Sequence, residues 1–163
     1  MYVIEAIVEI PMGTMNKYEI DKEKNRIKLN RVLYTKMTYP AEYGYIENTL
    51  ADDGDPLDIL VLASESTFPG CIVDARVVGY LDMTDCQQKD DKIIAVVNED
   101  PRLDHINSIK DIQHHLLREI SHFFSTYKTL QEKIVEVGEF YDREDAIELI
   151  KRCQENFQKS KKC

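Results

Sequence analysis

CIVDARVVGYLDM, residues 71–83, reads as one long β-strand. Val73, Ala75, Val77, Gly79 and Leu81 fall on one face by period-two alternation, and Asp74, Arg76, Tyr80 and Asp82 on the other. On either side of it, Leu57–Leu62 and Ile93–Val97 are short apolar runs of the kind buried strands show. Further upstream Ile4–Ile10 alternates again, with Ile4, Ala6, Val8 and Ile10 on one face, until Pro11 and Gly13 stop it. Lys17–Asp21 and Arg26–Leu33 flank a polar KEKN turn and read as a β-hairpin. Its second arm sets Arg31 among Ile27, Leu29 and Leu33. Downstream the period lengthens. Ser108 with Asp111 has a capping-box pattern, followed by Ile109, Ile112, Leu116, Ile120, Phe123 and Tyr127 at helical spacing. Asp142 with Asp145 opens a second helix, with Ala146, Ile150, Cys153 and Phe157 inward. Strands followed by helices predict an α+β fold, a small closed antiparallel β-barrel with two C-terminal helices outside it. No repeat, low-complexity tract or linker divides the chain, so residues 1–163 are expected to form one domain.

Composition narrows the function. Thirty acidic residues against 21 basic ones give a net charge of -9. That opposes binding to nucleic acid or to an anionic membrane surface, both of which need a basic patch. No apolar run reaches the length of a membrane span, and MYVIEAIVEI lacks the basic start of a signal peptide. Cys71, Cys86, Cys153 and Cys163 have no CxxC spacing and read as free thiols of a reducing cytoplasm. Adjacent His114 and His115 would point about 100° apart on a helix and make a poor zinc site.

Two acidic segments stand out. In DDGDPLD, residues 52–58, four of seven residues are Asp. Carboxylates this close repel one another, and a cation removes that cost. The loop fails the EF-hand template, with Asp58 where Gly should stand and Ser64 where Glu should stand. DCQQKD, residues 85–90, repeats the spacing: Asp53/Asp58 and Asp85/Asp90 are both Asp-x4-Asp. Mg²⁺ takes one or two carboxylates and fills its remaining positions with water and phosphate oxygens, so two such loops at one barrel mouth suit phosphoryl chemistry. Candidate anion binders are Lys17, Arg31, Lys92 and the Tyr127-Lys128 pair. Each also has a plainer reading, as a solvated lysine, a structural ion pair or a core aromatic. Tyr39, Tyr43 and Tyr45 form an aromatic loop around Pro40 that packing alone could explain.

Taken together, the chain resembles the soluble family I inorganic pyrophosphatases. The resemblance is carried by IVEIP (7–11), KYEIDK (17–22), YPAEYGYI (39–46), DGDPLDIL (53–60), PGCIVDARVVGYLDMTD (69–85), Asp90 with Lys92, and HFFSTYKTL (122–130). It implies a five-stranded OB-like barrel, a cytoplasmic Mg²⁺-dependent hydrolase, pyrophosphate as substrate, and a homo-oligomer, commonly a hexamer at this chain length. It also implies roles. Asp53, Asp58, Asp85 and Asp90 match metal ligands, and Asp55 the general base. Lys17, Arg31, Tyr43, Lys92, Tyr127 and Lys128 match phosphate-holding groups. Glu9, Glu19 and Tyr39 match positions that support the site through water or a neighbour. Cys86 and Asn30 depart from the family, which usually has acids there. Two rivals are an OB-fold module stacking bases on Tyr39, Tyr43 and Tyr45 and a structural Ca²⁺ binder.

Overall fold

The computed structural model describes residues 1–163. Its nine strands are β1 (Val3–Ile10), β2 (Asn16–Asp21), β3 (Arg26–Val32), β4 (Glu42–Tyr45), β5 (Asp58–Leu62), β6 (Ile72–Asp85), β7 (Gln88–Lys89), β8 (Lys92–Val97) and β9 (Val135–Asp142). Two α-helices, α1 (His114–Thr126) and α2 (Arg143–Lys161), flank β9. Strands β1, β4, β5, β8 and β6 pair in that order, and β6 returns to β1, closing a five-membered ring. Strand β6 is long enough to continue past the ring and pair with β7 and β9.

Four of the five joints are antiparallel, as the alternation predicts; the β5–β8 joint is parallel, matching Asp58 with Lys92 and Leu62 with Val96. The parallel joint follows from the chain path. After β5 the chain runs back along β6, turns at β7, and re-enters as β8 in the direction of β5. Both acidic segments therefore lie at the same end of the barrel, one leading into β5 and the other into β8.

Five expectations are corrected. The clean alternation of β6 breaks at a bulge between Val77 and Gly79. Val73, Ala75 and Val77 join one apolar cluster with α2, whereas Val78, Leu81 and Met83 join the other with α1, so Leu81 does not share the face of Val77. The expected first helix does not begin at Ser108, whose side chain caps only a 3₁₀ turn at Ile109–Asp111; α1 starts at His114. The apolar face of the second hairpin arm is core only at Leu33, just past β3; Ile27 and Leu29 are exposed, because β2 and β3 form a separate two-stranded sheet. Strand β4 lies inside the segment read as an aromatic loop, and β9 had no strand assigned to it.

Candidate active site

The parallel β5–β8 joint builds the floor of a cavity of about 400 Å³. Strand β5 opens with Asp58 and β8 with Lys92 directly beside it. Lys92 is fully buried, and its ammonium lies 2.6 Å from Asp58 Oδ2 and 2.8 Å from Asp90 Oδ1. The rings of Tyr43 and Phe124 stand 5.5 and 5.8 Å from it. Burial works against the ammonium, but the Asp58 and Asp90 carboxylates more than offset it, and Lys92 is held well above the usual lysine value. Burial lifts Asp58 to about 6, with Lys92 opposing and Asp90 adding to the rise. Burial also acts upward on Asp90, but Lys92 outweighs it and holds that carboxyl below its ordinary value. Two carboxylates at one place thus divide into a harder and an easier one to ionise.

On β6, Leu81, Met83 and Asp85 share a face. Leu81 and Met83 fill the core and Asp85 reaches the cavity. Its Oδ2 pairs with Lys128, which follows α1, while its Oδ1 is buried without a partner. The 51–55 turn carries Asp53 and Asp55. The Gly54 amide donates to the Ala51 carbonyl at 3.0 Å, and Gly54 itself takes φ +87°, a backbone region that other residues enter at a cost. The Asp55 amide donates to Asp53 Oδ1 at 3.0 Å, which leaves the exposed Asp55 carboxylate facing the cavity.

The opposite wall is the β2–β3 hairpin. Glu9 Oε2 accepts the Ile20 amide at 2.9 Å and fastens the hairpin to β1. Burial lifts Glu9, and burial with Arg31 and Lys128 nearby lowers Lys17. Glu19 accepts from Asn30 Nδ2 at 3.1 Å, and Asn30 Oδ1 accepts from Arg31 Nη1 at 2.9 Å. Asn30, an amide where an acid was expected, can do both because it donates and accepts. Arg31 makes no ion pair with a carboxylate, and its Nε is buried without a partner. Tyr39 and Tyr127 pack with Tyr43, Phe123 and Phe124, and burial raises all three phenols, which keeps them protonated and able to donate.

Twelve of the expected residues line this one cavity: Glu9, Lys17, Glu19, Tyr39, Tyr43, Asp53, Asp55, Asp58, Asp85, Asp90, Tyr127 and Lys128. Lys92 lies beneath the floor and does not line it; nor does Arg31, although its charge acts on Lys17 and Tyr39, which do. Lys22 and Tyr45 line it as well, with the Lys22 ammonium 5.5 Å from the Tyr45 ring. Both stood in the quoted motifs, and Tyr45 lies two positions from Tyr43 on the same strand. Cys86 is exposed and faces a different groove. With Tyr39 and Tyr45 buried, the base-stacking platform of the rival OB-fold reading is not formed.

No three carboxylates converge within one metal coordination sphere here, because Lys92 and Lys128 stand among them. The donors nonetheless fit a hard divalent cation: all are carboxylate oxygens, and Asp85 Oδ1 is buried without a partner.

A family profile described as inorganic pyrophosphatase matches residues 6–158. The chain is 58% identical over 151 residues to the inorganic pyrophosphatase of Halalkalibacterium halodurans, covering 93% of each chain. It is 54% identical over 159 residues to that of Geobacillus stearothermophilus, covering 98% of this chain and 96% of the relative. The crystal structure of inorganic pyrophosphatase from Thermus thermophilus matches with a TM-score of 0.93 at 46% identity, covering 96% of this chain and 91% of that one. Sequence and fold agree, and the chain belongs to the inorganic pyrophosphatase family.

Proposed function

We propose that the protein hydrolyses inorganic pyrophosphate to two orthophosphates with Mg²⁺ bound in this cavity. The observation that carries the reading is the gathering of Asp53, Asp55, Asp58, Asp85 and Asp90 with Lys17 and Lys128 around one space. Asp53, Asp58, Asp85 and Asp90 would hold the metal. Bound Mg²⁺ supplies charge against the phosphates and lowers the proton affinity of water. Lys17, Arg31, Tyr43, Tyr127 and Lys128 hold the phosphate oxygens. Lys92 is counted with them, although here its ammonium is engaged by Asp58 and Asp90. Glu9 and Glu19 keep the hairpin and Arg31 in place, and Tyr39 supports Tyr43. In the reaction the water oxygen bonds to one phosphorus, the bridging P–O bond breaks, and Asp55 accepts the water proton. With no covalent intermediate required, positioning and electrostatics supply the rate. We also read residues 1–163 as one cytoplasmic domain that assembles as a homo-oligomer, with the hexamer of short-chain relatives as the working stoichiometry.

Phosphate release from pyrophosphate tests this. It should require Mg²⁺ and stop with EDTA. Asp55→Asn should slow it by roughly 10²–10⁴, the usual contribution of a positioned base. Undiminished turnover in metal-free buffer would refute the reading.

A further inference from the structure

Resting on the hydrolase reading above, we infer that Lys89 is a positioning residue: with Asp82 and Asp91 it clasps the base of the β6–β7 hairpin and sets where Asp85 and Asp90 stand. The hairpin joins these two carboxylates through a very short link. Only two residue pairs form its ladder, Thr84 with Lys89 and Asp85 with Gln88. The two residues at its tip, Cys86 and Gln87, both take positive φ, 50° and 68°. Such a turn follows the strand twist but favours Asn-Gly, and residues bearing a Cβ enter that region at a steric cost. A turn disfavoured at both central positions needs outside restraint to hold one shape.

The restraint lies on the outer face, away from the cavity. The Lys89 ammonium pairs with Asp82 and lies 3.5 Å from Asp91 Oδ1. Asp91 Oδ1 also accepts the Met83 amide at 3.2 Å, while the Met83 carbonyl accepts the Asp90 amide at 2.9 Å. Met83 is thereby held on both of its backbone polar groups by the residues flanking the 90–91 bond. On its other side Asp82 lies against β9. A Cβ at Gly138 of β9 would lie 2.7 Å from Asp82 Oδ2, so the carboxylate occupies space that only glycine leaves. The clasp thus runs from Asp82, three residues from Asp85, through Lys89 to Asp91, one residue from Asp90.

For Lys89, positioning and plain charge predict opposite signs; for Asp82 they agree, so Lys89→Met is the deciding variant. Lys89 is a cation near the proposed metal ligands, so as a charge alone its removal would tighten Mg²⁺ binding. Asp82→Asn would do the reverse. If Lys89 positions the loop, both substitutions weaken Mg²⁺ binding.

The test is calorimetric Mg²⁺ titration of substrate-free wild type, Lys89→Met, Lys89→Arg and Asp82→Asn, alongside Mg²⁺-dependent pyrophosphate hydrolysis. Lys89→Met and Asp82→Asn should each weaken Mg²⁺ about fivefold or more and raise the half-saturating Mg²⁺ by a similar factor. Lys89→Arg should restore most of it. Tm should move little, since Lys89 is half-exposed and such pairs add little stability. Unchanged or tighter Mg²⁺ binding by Lys89→Met overturns the clasp, whatever its Tm. A wild type that binds Mg²⁺ but releases no phosphate overturns the hydrolase reading instead.

Discussion

At the scale of single residues, the site is governed by how charge is shared. Asp58 is lifted to about 6 by burial, so the folded protein binds its proton more tightly than the unfolded chain does. The cost of ionising it is fully present above pH 6 and vanishes below the unfolded value near 4. Glu9, Glu42, Asp53 and Asp91 are raised too, each chiefly by burial, and act in the same direction. Asp90, Asp100 and Asp142 are lowered and act in the opposite one. The EDTA-treated protein should therefore gain stability as pH falls from 7.5 to about 5.5, and Asp58→Asn should flatten that dependence. A metal-free denaturation series in which wild type loses stability over this range would contradict it. The types of these residues were legible in the sequence because Asp-x4-Asp spacing is local. That Lys92 lies under the floor, engaged by two of the carboxylates, was not, because it depends on a parallel joint between distant strands.

Among the elements, local signals succeed where one cap decides an end and fail where packing does. Asp142 was readable as the start of α2, and its carboxylate accepts the Arg143 amide at 2.8 Å. It also accepts the Ser108 hydroxyl at 2.9 Å and the Ile109 amide at 3.4 Å, binding the 3₁₀ turn to the helix start. Those tertiary bonds explain the misplaced beginning of α1, since Ser108 serves a turn docked on Asp142. Asp142→Ala should destabilise by about 1–2 kcal/mol, the upper range for a lost N-cap. It should leave the Mg²⁺ dependence of hydrolysis unaltered, because Asp142 does not line the cavity. Chemical denaturation and a Mg²⁺ titration check the two halves. Strand β9 escaped notice because its exposure alternates only partly, and β4 because its tyrosines read as a loop until β1 and β5 pair with it.

For the molecule as a whole, the apolar residues left on the surface are the unspent feature. Ile27 and Leu29 on β3 are 50% and 48% exposed, and Phe68 and Ile72 are 64% and 62% exposed. Ile27 neighbours Gly70 in the segment joining Phe68 to Ile72, so β3 and that segment form one patch. A second copy of the chain is the occupant that fits the proposed homo-oligomer. Light scattering should give a mass above that of one chain, and Ile27→Glu with Phe68→Glu should lower it. A wild type that stays monomeric at micromolar concentration would remove this assignment. The parallel joint carries a last consequence, for the order of folding. Asp58 and Lys92 are 34 residues apart along the chain, and all of β6 and β7 lies between them. Contacts so distant in sequence close late, after local turns and helices. By that argument the floor of the cavity closes after the local turns and helices, and a chain arrested partway would have helices before it had a place for a cation. Returning activity reports the finished barrel in a way that returning helicity does not.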